Sequence, residues 1–342
     1  MPEQKPTGGA EDLIEPEPAP EEAARPEDQL LHAGGTAPAA GAVAAATAIE
    51  GGVSEYQASL WGDAWRQLRR KPLFLIAAAL LLLFVVIAIA PQLFTDENPN
   101  LAKNPGFCDL SRSVERPGSG HWFGFDIQGC DYYARVVHGA RVSIAVGLLT
   151  VAGTVVVAVV LGSLAGYYGG LADSVIARLT DVWFALPTVL GAIVILSVLG
   201  EKNVPQLVLV LIIFGWPTMT RLMRSAVLSV RDMEYVAAAR ALGAGDGRLV
   251  FRHILPNAIA PVVVYATIKV GIVIAAEATL SFLGLGVQLP AISWGLMIAG
   301  GRTRLLDAPH LLLFPGLALS LTVLSFVLMG DALRDAFDPR LR

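Results

Sequence analysis

Chemistry has few places to reside in this sequence. The five histidines, His32, His121, His138, His253 and His310, are scattered without the spacing of metal ligands. No Gly-x-x-x-x-Gly-Lys-Ser/Thr run occurs, so the chain has no P-loop of its own, and no nucleophile elbow or catalytic cluster stands out. An enzyme reading gets little support. The organised polar residues lie instead in one stretch, residues 229–257. Ser229 and Asp232 offer capping side chains ahead of the strong helix formers 234–242. Ala237, Ala238, Ala239 and Ala241 keep that helix slim enough to sit in a groove. Gly243 stops it, and Gly245 and Gly247 permit a sharp turn. Asp246 is placed to cap a second short helix, 248–254, whose Leu249, Val250, Phe251 and Ile254 are expected to pack beneath the rest of the protein. Pro256 then opens the following helix, where a missing amide costs least. The pattern describes a lever gripped by a soluble partner, not a catalyst.

The elements on either side of this lever are apolar. With 54% hydrophobic and only 16% charged residues, the chain is too apolar for an ordinary soluble domain. Residues 73–90 carry no charge and are long enough to cross most of a bilayer. Further runs at 142–166, 182–199, 206–220, 258–276 and 311–329 bring the expected count to six spans in an all-α membrane protein, with Pro187, Pro205 and Pro217 in or beside the middle ones. The expected domain is a six-span unit, 73–342, with an outer loop at 91–141 and a coupling loop at 222–256.

Charge distribution suggests an orientation. Arg66, Arg69, Arg70 and Lys71 precede the first span, and Arg221, Arg224, Arg231, Arg240, Arg248 and Arg252 crowd the loop after the fourth. Both point to the cytoplasm, and six spans return the C-terminus to the same side. Cations in the first outer loop weaken this bias. No cleavable signal peptide is evident, so the first span reads as an uncleaved anchor. Residues 1–57 hold eleven acids against Lys5 and Arg25, which makes the remainder basic despite the overall charge of −4. This Pro/Ala/Glu-rich segment reads as a disordered, acidic cytoplasmic tail. Residues 58–72, with Leu60, Trp61, Trp65 and Leu68, suit an interfacial amphipathic helix; a plain extension of the first span is the alternative. Cys108 and Cys130 face an oxidising space in this orientation. That suits a disulfide, with two unrelated thiols as the alternative.

Single residues invite two readings each. Glu277, near the end of the fifth span, either lines a polar pathway as a gating group or fixes the span end. Arg178 with Asp181, and Asp331 with Arg334, have the spacing of structural helix pairs. Pro187 and Pro217 suit kinks around a pathway or kinks for packing. Arg240 and Arg252 either pair with a partner's acids or mark the inner face.

The lever resembles the EAA loop of ATP-binding-cassette (ABC) importer permeases. The similarity rests on Tyr235-Val-Ala-Ala-Ala-Arg-Ala-Leu-Gly243 and Phe251-Arg-His-Ile-Leu-Pro-Asn257, in the version of the dipeptide and oligopeptide permeases. Ala237 stands where that family often has Glu, so one polar contact is absent. Trp65-Arg-Gln-Leu-Arg-Arg-Lys-Pro72, His121-Trp-Phe-Gly-Phe-Asp126, Glu277-Ala-Thr-Leu-Ser-Phe-Leu-Gly-Leu-Gly286 and the ending Gly330-Asp-Ala-Leu-Arg-Asp-Ala-Phe-Asp-Pro-Arg-Leu-Arg342 resemble the C-type subunit of these systems, over about residues 58–342.

The resemblance implies a type I importer permease in a bacterial inner membrane, forming half of a pathway for di- or oligopeptides by alternating access. Nickel, glutathione or another small solute is the alternative, and a non-transporting scaffold a more distant one. It implies a sibling permease, two cytoplasmic ATPases that bind ATP and Mg, and an external binding protein, with no cofactor in this chain. Expected contacts to the ATPase are Glu234, Tyr235, Ala238, Ala239, Arg240, Leu242, Gly243, Arg252, His253, Leu255 and Pro256. Glu277, which would attract a peptide ammonium, and Pro187 are the expected pathway residues.

Overall fold

The computed structural model describes residues 68–99, 104, 106–200 and 203–337, together with Gly62, Trp65 and Arg66. The expected acidic tail, and residues 58–61 of the expected interfacial helix, lie outside the described residues. The helices are α1 (Pro72–Ile89), α2 (Tyr132–Tyr168), α3 (Gly170–Ala185), α4 (Thr188–Leu199), α5 (Val204–Arg231), α6 (Glu234–Ala241), α7 (Ala260–Phe282), α8 (Trp294–Gly301) and α9 (His310–Phe337). Three short helical pieces join α6 to α7. Among the described residues, extended pairing is limited to isolated bridges.

Five helices, α1, α2, α5, α7 and α9, are each long and apolar enough to cross a membrane. The sixth expected span, 182–199, is not one straight helix. Its residues belong to α3 and α4, which meet at 84°. Proline drives the preceding residue out of helical backbone, and Leu186 takes φ −87° and ψ 122° before Pro187. The packing of α2 on α5 shows what the bent pair does. Ile212 lies against Gly153, Met223 against Gly162, and Val227 against Gly166, so the two helices run parallel. The chain between two parallel neighbours must return to the starting side, so α3 and α4 together make the crossing. A Cβ at Gly162 would lie 2.6 Å from the Met223 Cβ, and one at Gly166 would lie 2.9 Å from the Arg224 carbonyl oxygen. This small-xxx-small pair lets the backbones meet.

Pro217, buried inside α5, leaves the carbonyl of Ile213 without its helical donor. The Trp183 indole N–H, from α3, donates to that oxygen at 2.6 Å. A helix defect and the broken span are thus tied together.

Both ends of the described chain meet at one end of the bundle. Leu68 and Phe74 pack against Ala332 and Ala336, and Lys71 pairs with Asp335 at 3.0 Å. At the opposite end, Arg141 donates to the carbonyls of Ala88 and Ile89, satisfying orphan acceptors at the end of α1. The expected outer loop, 91–141, is shorter than anticipated because α2 begins at Tyr132, capped by the Asp131 carboxylate on Ala134 N–H. A disulfide links Cys108 to Cys130 in this segment, and Asp126 pairs with Arg135 beside it.

Candidate functional site

The lever begins later than expected, because α5 continues to Arg231 rather than ending at residue 222. Arginine pairing with other elements holds this extension. Arg221 pairs with Asp181, Arg224 grips Asp173 through two nitrogens, and Arg231 donates to the Gly166 carbonyl at 2.9 Å. Asp181 therefore finds its cation on α5 rather than in Arg178. The expected Asp331–Arg334 pair does not form either.

Helix α6 follows a turn whose N-cap is Met233, which makes no side-chain cap. Neither expected capping residue acts: Ser229 lies within α5, and Asp232 accepts from Arg231 at 3.1 Å. Tertiary packing holds α6 instead. Val236 is fully buried among Met223, Val227, Val230, Leu249 and Ile254, with Ala239 and Leu255 packed on the cluster's edge. The other face of α6 is open, presenting Glu234, Ala237, Ala238, Arg240 and Ala241 to solvent.

Gly243 ends the helix at φ +84°, a conformation an L side chain adopts only with strain. The chain then climbs through Asp246–Arg248, a π-helical Leu249–Ile254 and Leu255–Ala258. Gly245, not Asp246, is the N-cap. The Asp246 carboxylate instead accepts from the Tyr167 hydroxyl at 2.8 Å, binding the lever to the end of α2. On the π turn, the carbonyl of His253 receives both the Tyr235 hydroxyl, at 3.2 Å, and the Asn257 amide, at 2.8 Å. Burial pushes the Tyr235 phenol up, so it remains a donor at neutral pH.

Leu249 and Ile254 are buried as expected, but Phe251 is 74% exposed. Leu242, next to Gly243, is 90% exposed, and Met233 and Tyr235 are also open. Arg252 and Pro256 are exposed, and His253 is half-buried. Arg240, Arg248 and Arg252 form no ion pair among the described residues. The result is a shelf with a slim polar-alanine helix, cations that form no ion pair among the described residues and several uncovered apolar side chains.

The expected pathway residues lie elsewhere. Pro187 sits at the α3–α4 break. Glu277 is fully buried within this chain rather than facing a channel. Its carboxylate accepts from Ser281 at 2.7 Å, Ser293 at 2.8 Å and Ser143 at 3.4 Å. Ser143 also accepts the Trp294 N–H, so Glu277 joins α2, α7 and α8. Its role here is to hold three elements, one of which sits at the disulfide end. Sequence reasoning missed Val236 as the lever's anchor, because a lone valine among alanines carries no signal of its partners. It also passed over Lys269, a cation inside an apolar run.

The chain is a multi-span helical bundle with a short, one-sidedly buried helix set between two of its spans, and its relatives are transport permeases. Residues 158–342 match the model of the binding-protein-dependent transport system inner membrane component, and residues 59–107 match that of the N-terminal transmembrane domain of oligopeptide transport permease C. The dipeptide transport system permease protein DppC of Alkalihalophilus pseudofirmus is 40% identical over 83% of this chain and 91% of its own. The glutathione transport system permease protein GsiD of Pectobacterium atrosepticum is 40% identical over 82% and 92%. Among solved structures, a chain of the MetNI methionine ABC transporter covers 59% of this chain and 96% of its own at TM-score 0.49 and 17% identity. The chain therefore belongs to the permeases of binding-protein-dependent ABC importers, in the C-type branch that includes the dipeptide and glutathione systems.

Proposed function

We propose that this permease forms half of a pathway for di- or oligopeptides and that its α6 shelf docks in a cytoplasmic ATPase. The observation supporting the coupling role is the two-sidedness of α6: Val236 is buried, while the opposite face and Leu242 are bare. A slim helix anchored on one side transmits displacement to α5 and α7, because all three share one buried cluster. In this reading two ATPases bind ATP and Mg, a sibling permease supplies the other half of the pathway, and an external binding protein delivers the solute. The termini and the lever then face the cytoplasm of a bacterial inner membrane, and this chain hydrolyses no ATP. Closure of the ATPases draws the two levers together and turns the spans outward.

Glutathione is the second reading for the solute, favoured by a GsiD relative as similar as the DppC relative. Uptake of labelled dialanine and labelled glutathione by the complete complex in proteoliposomes separates the two. ATP-dependent dialanine uptake, lost in Gly243→Pro with assembly intact, is the expected result. Glutathione uptake alone would replace the solute, and undiminished uptake in Gly243→Pro would remove the lever.

A further inference from the structure

The ion pairing among the membrane-spanning helices leaves a remainder. Asp173 is used by Arg224, Asp181 by Arg221 and Asp335 by Lys71, while Glu277 is occupied by three serines. Lys269 has no such partner among the described residues. It is the tenth residue of the 23-residue α7, about 14 Å along that helix. Among the described residues its ammonium reaches one acceptor, the carbonyl of Gly215, at 3.4 Å. The Tyr265 ring lies 5.9 Å away. Gly215 stands well inside the 28-residue α5, so this contact is at membrane depth. Asp331 is not a substitute: it follows Gly330, which packs against Ile268, and Lys269 is directed toward α5 instead.

Lys269 is also not sealed inside the chain. Pro261, Tyr265, Lys269, Ile272, Ala276 and Thr279 form one stripe of α7 at helical spacing, and every member is exposed or half-buried. A lysine that retains two unused donors on an open stripe at this depth is costly against lipid, and such cations face a partner or an aqueous path.

We propose that Lys269 lines the translocation pathway and binds a carboxylate of the passing solute, such as the C-terminal carboxylate of a peptide. The assignment rests on the peptide reading above for the solute, but on this chain's own geometry for the site. The Gly215 carbonyl holds the ammonium at the wall of the path, and the remaining donors meet the carboxylate. One positive charge here favours anionic and zwitterionic solutes over cationic ones at a step after delivery by the binding protein.

The test uses the complete complex in proteoliposomes and compares ATP-driven uptake of dialanine with uptake of its C-terminal amide. The binding protein meets the same two solutes in every variant, so a change in their ratio belongs to the permease. Lys269→Gln is expected to lower the acid-to-amide ratio by roughly tenfold, in line with a charged hydrogen bond, while Lys269→Arg retains it. An unchanged ratio, or an equal fall for both solutes, would overturn the proposal, the latter marking a structural charge. A second measurement does not depend on the solute. Both native cysteines are in the disulfide, so Lys269→Cys introduces a single free thiol. Its reaction with a membrane-impermeant sulfonate thiosulfonate in the nucleotide-free or vanadate-trapped complex is expected. No reaction in either state would overturn the pathway position. If wild type carries neither solute, the peptide reading falls while thiol reactivity still decides Lys269.

Discussion

Val236 and Glu277 show how single residues hold the working parts in place. Val236 is the one fully buried residue of α6, so shortening it removes the lever's footing while leaving its exposed face unchanged. Val236→Ala is expected to weaken α6 docking by roughly 1–2 kcal/mol. Faster amide exchange in residues 234–241 than elsewhere in the loop would reveal it. Glu277 is used as a three-fold acceptor, and Glu277→Gln introduces an amide donor where only hydroxyl donors point. A loss of about 1–3 kcal/mol is expected in detergent-solubilised protein, seen as a lower melting temperature. An unchanged melting temperature would show that the serines rearrange freely. Glu277 also marks a limit of sequence reading. An acid in an apolar run is conspicuous, but Ser143 and Ser293, distant in sequence, turn a candidate channel group into a structural one. Arg178 and Asp181 illustrate the same limit, since helical spacing suggested a pair that Arg221 takes from another helix.

At the scale of elements, the apolar runs were legible because a bilayer demands long uncharged helices. Their ends were not. Helix α2 starts ten residues before its apolar run, with Arg135, His138 and Arg141 in the added turns. Those turns are held by contacts with distant partners, such as the Tyr132 hydroxyl on the Leu311 carbonyl at 2.6 Å. Pro187 was visible as a breaker, yet nothing in the local sequence specified the 84° angle between α3 and α4. The Pro217–Trp183 relation makes a testable pair. Trp183→Phe leaves the Ile213 carbonyl without a donor and is expected to cost about 1–3 kcal/mol. In a Pro217→Ala background the helix supplies its own donor, so the same change is expected to cost less. A double-mutant cycle on melting temperature measures this coupling, and strict additivity would refute it. Gly162→Val should be worse than either single change, because its branches meet the Met223 Cβ and the Thr220 carbonyl of a parallel helix. Loss of folded permease on size-exclusion chromatography is the expected outcome.

Across the whole molecule, the bundle separates two tasks. One end carries the disulfide-linked segment, and the other gathers the lever and both described chain ends. Arginine–carboxylate pairs tie α3 to α5, and one buried cluster is shared by α2, α5, α6 and α7. The composition and the Ala-rich lever with its glycine corner made the class readable from the sequence. What remained unreadable was the mounting: which side of α6 is buried, and that Phe251 and Leu242 are left bare. The central claim is that this bare side couples ATP hydrolysis to transport. Leu242→Asp tests it most directly, because Leu242 is 90% exposed and lies outside the buried cluster that holds α6. ATP hydrolysis and solute uptake would be measured together in proteoliposomes of the complete complex, alongside the melting temperature of the isolated permease. The account predicts an unaltered melting temperature with solute-stimulated hydrolysis and uptake both reduced at least about tenfold, as expected for a charge buried at an interface centre. Undiminished, solute-stimulated hydrolysis and uptake would contradict it.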